Sequence, residues 1–100
     1  MRKEEIIELL KSSKEKLREY GVKRIGIFGS AARDELGQES DIDIVVEFEE
    51  NRGGFKDFGG VIEFLEQLFG REVDILTPRG IDSIRIKPVR ERIKREVEYV

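Results

Sequence analysis

The sequence predicts an α+β protein, a sheet of at least three strands with helices packed against it. Three observations carry that reading. Residues 41–48 alternate, with Asp41, Asp43, Val45 and Glu47 on one face and Ile42, Ile44, Val46 and Phe48 on the other, which is the period of a strand. Two more short β-type runs, Val22 to Phe28 and Glu72 to Leu76, are each bounded by glycine or proline. Around them lie stretches whose apolar residues recur at helical spacing, so the order is α-β-α-β-α-β-α.

Taken from the start, residues 3–20 read as one amphipathic helix. Ile6, Leu10, Leu17 and Tyr20 fall near one stripe, charged residues fill the rest, and Gly21 is the stop. Val22 to Phe28 is the first strand, ended by Gly29-Ser30. Ser30 opens a short helix predicted to reach Leu36 and close at Gly37. The strand at 41–48 follows. Glu49 to Phe58, with Gly53-Gly54 inside it, reads as a loop and as the most mobile segment. Val61, Ile62, Leu65, Leu68 and Phe69 mark a helix that stops at Gly70. Glu72 to Leu76 is the third strand, with Asp74 on the face opposite Val73 and Ile75. Pro78 and Gly80 break it. Pro88 then stands as first residue of a last helix, 88–98, with Val89, Ile93 and Val97 along one side. Periodicity does not give strand direction. If Gly29-Ser30 at the end of one strand meets Asp41 and Asp43 at the start of the next, those strands run antiparallel and the sheet is mixed.

One hundred residues correspond to a single domain, 1–100. A hydrophobic fraction of 38 %, with six Phe, supports a packed core although 41 % of residues are charged. No apolar run approaches the roughly 20 residues that cross a bilayer, and Met1-Arg2-Lys3-Glu4-Glu5 lacks the apolar stretch of a leader. The expected location is cytoplasmic, with no membrane partner. There is no Cys and no His, so thiolate and imidazole ligands are excluded and metal or acid–base chemistry falls to carboxylates. The net charge of −3 is unevenly spread: residues 22–78 carry six basic and thirteen acidic side chains. Nucleic-acid grooves need clustered Lys and Arg, so nucleic acid is not the expected partner. An acidic centre suits divalent cations.

Asp41 and Asp43 flank Ile42, so both carboxylates leave the strand on one face, roughly 7 Å apart along the backbone. Such a pair repels unless a cation lies between them, and oxygen-only ligands favour Mg²⁺ or Mn²⁺. A solvated polar face is the alternative. Gly29 permits close approach of a phosphate, and Ser30 has a hydroxyl and helix-start N–H groups to donate to it; an ordinary N-cap is the alternative. Arg33, one turn on, either reaches the same phosphates or is a surface cation. Asp74 is either a third ligand or another polar strand residue.

Combined, these features form a specific pattern: Gly29-Ser30, ten residues, Asp41-x-Asp43, and a further strand carboxylate at Asp74. The segment IFGSAARDELGQESDIDIVVEF resembles the active-site signature of the DNA polymerase β-type nucleotidyltransferases. The compact chain, with REVDILT and the ending PVRERIKREVEYV, is most similar to the minimal nucleotidyltransferases of HEPN/MNT toxin–antitoxin pairs. The resemblance spans nearly the whole sequence and implies the small nucleotidyltransferase fold. It implies that Gly29 and Ser30 hold the triphosphate of ATP, that Asp41 and Asp43 chelate two Mg²⁺ ions, and that Asp74 completes the second metal site and helps deprotonate the acceptor. The implied reaction moves AMP from ATP to a tyrosine hydroxyl of a HEPN ribonuclease toxin, so that the chain acts as an antitoxin. Many relatives read G-S-R-A-R-G. This sequence has Ala31 in place of the first Arg and Asp34 in place of the last Gly, while Arg33 matches the second Arg.

A chain this short has no room for a second pocket. The acceptor is then a macromolecule with its own surface, or a partner chain completes the site in a homo-oligomer or a toxin-bound hetero-oligomer. Two other readings stay open: a nucleotidyltransferase subunit acting on a small molecule, and an antitoxin that works by steric cover without catalysis.

Overall fold

The computed structural model describes residues 1–100. Its elements are α1 (Lys3–Ser12), α2 (Lys14–Glu19), β1 (Val22–Ile27), α3 (Gly29–Ala32), β2 (Ile42–Phe48), α4 (Phe55–Phe69), β3 (Val73–Leu76), α5 (Pro78–Asp82), α6 (Lys87–Glu96) and β4 (Glu98–Tyr99). The sheet order is β3-β2-β1-β4. β1 pairs antiparallel with both β2 and β4, and β2 pairs parallel with β3. The sheet is therefore mixed and four-stranded, the expected α+β class with one extra edge strand.

The helix expected over 3–20 is two helices. Ser13 sits on the same stripe as Ile6, Leu10 and Leu17 and is only 7 % exposed. Its hydroxyl is satisfied by the Leu9 carbonyl at 2.7 Å, and Ser12 Oγ donates to the same oxygen at 3.0 Å. Such back-bonding bends a helix, and the chain turns at Ser13 before α2 begins. Gly21, with φ at +80°, ends that helix as expected.

Ile6, Leu10, Leu17, Val61, Leu65 and Phe69 pack on one face of the sheet, against Ile25, Ile27, Ile42, Ile44, Val46 and Val73. The other face, for which a solvated polar surface was the alternative to a metal site, carries a second apolar layer. Val45 is fully buried there, packed with Phe28, Ile81 and Ile93. The helices responsible are α5 and α6. Pro78 and Gly80, read from the sequence only as a break, lie within α5, which Thr77 caps: its Oγ1 accepts from Gly80 N–H at 3.0 Å, and Pro78 opens the first turn. α6 ends at Glu96, earlier than expected, because Val97 turns the chain into β4. Gly26 lets that strand lie close, since a Cβ there would strike the backbone of Glu98 and Tyr99.

The segment expected to be a mobile loop to Phe58 is helical from Phe55. Asp57 ties down what remains. It accepts from Arg52 Nε at 2.8 Å, Arg52 Nη2 at 2.9 Å and Gly53 N–H at 3.0 Å. Arg52 Nη2 also reaches the Glu19 carbonyl at 2.9 Å. No helix is long and apolar enough to cross a membrane.

Candidate active site

The carboxylates gather at one end of the sheet because of strand register. In the parallel pair Asp43 lies directly across from Asp74, with Ile42 across from Val73 and Ile44 across from Ile75. In-register residues project to the same side, so Asp43 and Asp74 share the face that carries Val45. Asp41 lies one residue before β2 and is half-buried. Phe28 N–H donates to the Asp43 carbonyl at 3.1 Å, which brings the end of β1 against the start of β2. Gly29 follows with φ at +63°, and a Cβ there would collide with the Asp43 carboxylate. Only glycine meets both demands. Gly29, Asp43 and Asp74 thus lie at one end of the sheet, with Ser30 and Asp41 beside them in the chain, although 31–40 and all of α4 intervene in sequence.

The loop that delivers Asp41 is pinned at its base. Arg71 Nη1 donates to the carbonyls of Gly37 at 2.8 Å and Ser40 at 3.1 Å, and Ser40 Oγ accepts from Gly37 N–H at 3.2 Å. Ile42 N–H is taken by the Glu72 carbonyl at 3.1 Å. The helix expected to reach Leu36 spans one turn, Gly29–Ala32. It stops because Asp34 adopts φ +57°, a left-handed conformation natural for glycine and tolerated by Asp. Its Oδ1 accepts from Lys3 N–H at 2.9 Å and so anchors the start of α1. That explains Asp34 where the resembled pattern has Gly. Ala31 is fully buried in the main core; here the position packs and does not face solvent.

Charge around Asp43 is dominated by other acids. Its pKa is raised, first by burial, then by Asp74 and Asp41, with Glu96 adding to the effect and Arg33 opposing it. None of the three aspartates is ion-paired with a Lys or Arg. Arg33 is instead engaged by Glu96, Nη1 to Oε1 at 2.6 Å, and more loosely by Glu35 at 3.5 Å. Sequence reasoning missed Glu96. It is one acid among the alternating charges of α6 and stands 63 residues from Arg33, so only the fold announces it.

The donor set fits a hard divalent cation: clustered, unpaired carboxylate oxygens that repel one another, with no His or Cys. It is not a preformed cage, since no three such side chains converge closely enough to hold an ion as they stand. Asp74 is exposed and Asp41 only half-buried, so both have freedom to turn toward Asp43.

Comparison with known proteins shows the family. The family model described as a nucleotidyltransferase domain matches residues 6–100. The chain belongs to the nucleotidyltransferase domain family. Within it, this nucleotidyltransferase is 41 % identical over 98 residues to the "protein adenylyltransferase MntA" of Thermococcus cleftensis, covering 97 % of this chain and 94 % of that one. It is 42 % identical over 98 residues to a "putative protein adenylyltransferase" of Methanocaldococcus jannaschii, covering 96 % and 95 %. A solved structure described as a "putative minimal nucleotidyltransferase" superposes with a TM-score of 0.77 at 33 % identity, covering 98 % of this chain and 95 % of that one. The minimal fold expected from the sequence is the fold observed.

Proposed function

We propose that this nucleotidyltransferase is a protein adenylyltransferase, moving AMP from ATP to a tyrosine hydroxyl of a cognate HEPN ribonuclease toxin and acting as its antitoxin. The observation that carries the chemistry is the register of Asp43 against Asp74 with Asp41 alongside, facing Gly29. The names borne by relatives more than 40 % identical over nearly their whole length, protein adenylyltransferases, support the nucleotide and the protein acceptor.

Asp41, Asp43 and Asp74 would hold Mg²⁺, or Mn²⁺ in its place. When bound, the ions neutralise triphosphate charge and acidify the acceptor hydroxyl. The chain's own groups do the rest. The glycine at 29 leaves the space in which a phosphate can approach the backbone, and the Ser30 hydroxyl donates to a phosphate oxygen. Arg33, one turn on from Gly29, donates to the same phosphates. Asp74, the most exposed of the three aspartates, takes the acceptor's proton as its oxygen bonds to the α-phosphorus. The bond from that phosphorus to the bridging oxygen breaks, and pyrophosphate leaves.

The test uses the full chain, a HEPN protein encoded beside it, ATP and Mg²⁺. Intact-mass spectrometry is expected to show one or more AMP groups on the HEPN protein. Asp41→Asn is expected to co-purify with the toxin yet transfer nothing and fail to restore growth. A variant that protects cells as well as the parent does would favour masking by contact and overturn the catalytic reading.

A further inference from the structure

Glu96 has no part in the three-aspartate set, yet it is the best-shielded acid bordering it. Only 17 % of its side chain is exposed, and its Oε1 stands 2.6 Å from Arg33 Nη1. A shielded carboxylate requires a charged or hydrogen-bonding partner, and Arg33 is the one it has. The reverse is not true. Arg33 is 42 % exposed, and its other acidic neighbour, Glu35, is 65 % exposed and more distant at 3.5 Å.

A guanidinium carries five N–H donors in a rigid planar fork. Glu96 engages Nη1 and Glu35 lies near Nε, while Nη2 has no partner in the chain. Arg33 sits at the end of a one-turn helix, where an unrestrained side chain of this length would sample many rotamers. Arg33 N–H donates to the Gly29 carbonyl at 3.1 Å, and Gly29 lies directly against the Asp43 carboxylate, so the pair lies beside the carboxylate centre. α6 reaches the site through this contact, and Val89 and Ile93 fix the helix on the second core.

We infer that Glu96 is a positioning residue for the nucleotide: its carboxylate holds one side of the Arg33 fork so that the unclaimed side is presented to the triphosphate. This rests on the reading of Arg33 as a phosphate contact. Glu96 touches neither phosphate nor metal in this role. Its effect passes entirely through Arg33, and it acts on binding more than on turnover.

The experiment measures Mg²⁺-ATP binding by calorimetry, and KM and kcat for AMP transfer, with the full-length protein. Glu96→Ala is expected to weaken binding and raise KM about tenfold, the scale of a lost charge-assisted hydrogen bond, with kcat within about twofold. Glu96→Gln keeps an acceptor oxygen without the charge, and is expected to fall between the two. It also carries the test if the alanine variant does not fold. In an Arg33→Ala background Glu96→Ala is expected to add nothing. Tighter binding in Glu96→Ala would make Glu96 a competitor of phosphate and overturn the inference. So would unchanged binding, or effects that add fully in the double variant. A parent protein that binds no triphosphate overturns the reading beneath it, and the inference with it.

Discussion

At Asp43 a half-buried carboxylate is held beside Asp74 and Asp41 without a Lys or Arg ion-paired to it, and its proton is correspondingly harder to lose. A raised folded-state pKa means that ionised Asp43 opposes folding above that pKa, and that the penalty is absent below the ordinary value of 3.8. Asp43→Asn is therefore expected to raise the melting temperature of the metal-free protein at pH 7, by a margin that shrinks as the pH falls toward 4. Under the proposed function Mg²⁺-ATP is expected to raise the melting temperature of the parent and not that of this variant, because a ligand stabilises only the state that binds it. A lower melting temperature at pH 7 without metal would show that Asp43 is not the strained group described. Asp41, Asp43 and Gly29 were legible in the sequence because their spacing encodes one local event, a strand end meeting a strand start. Glu96 was not. Its partner is remote, and nothing in the pattern of α6 separates it from its solvated neighbours.

The turn into α4 shows why single elements were only partly readable. Two glycines at 53 and 54 read as part of a mobile loop, and nothing in the sequence singled out Asp57. In the structure Asp57 accepts three hydrogen bonds from Arg52 and Gly53, and its pKa falls to about 2, chiefly through the Arg52 hydrogen bonds and then Gly53. A depressed pKa contributes stability that is present above the ordinary value of 3.8 and lost as the pH falls through about 2. Asp57→Asn is expected to melt below the parent at pH 6, with the gap narrowing below pH 4 in thermal scans. A gap that stays constant down to pH 3 would mean that the turn is held by something other than that charge. The break at Ser13 and the cap at Thr77 were missed for a related reason. Both depend on a side-chain hydroxyl choosing a backbone partner, a choice that apolar periodicity does not record.

The molecule as a whole has two apolar layers of unequal size about one sheet. The larger was written in the sequence, since Ile42, Ile44 and Val46 announce a buried face. The smaller was hidden because its sheet-side contribution is sparse, with Val45 set between acids on the same strand. Val45→Ala is expected to cost roughly 2 kcal/mol, as for a fully buried branched side chain, and so to lower the melting temperature by roughly 10 °C. A solvent-facing valine would change stability by less than about 0.5 kcal/mol, so chemical denaturation of this one variant distinguishes the two architectures.

β2 and β3 run parallel, so the chain must pass through the whole of α4 before Asp74 can lie against Asp43. Arg33 must wait longer still, for Glu96 at the end of α6. On the ribosome this imposes an order of events. At about 5–20 residues per second, the interval between synthesis of Asp43 and of Asp74 is roughly two to six seconds. Throughout it, the glycine-serine turn and its first two carboxylates exist without the groups that complete them. The carboxylate centre and its Arg33–Glu96 flank are therefore complete only once α6 has emerged and can fold, and a chain still lacking α6 holds an unfinished site.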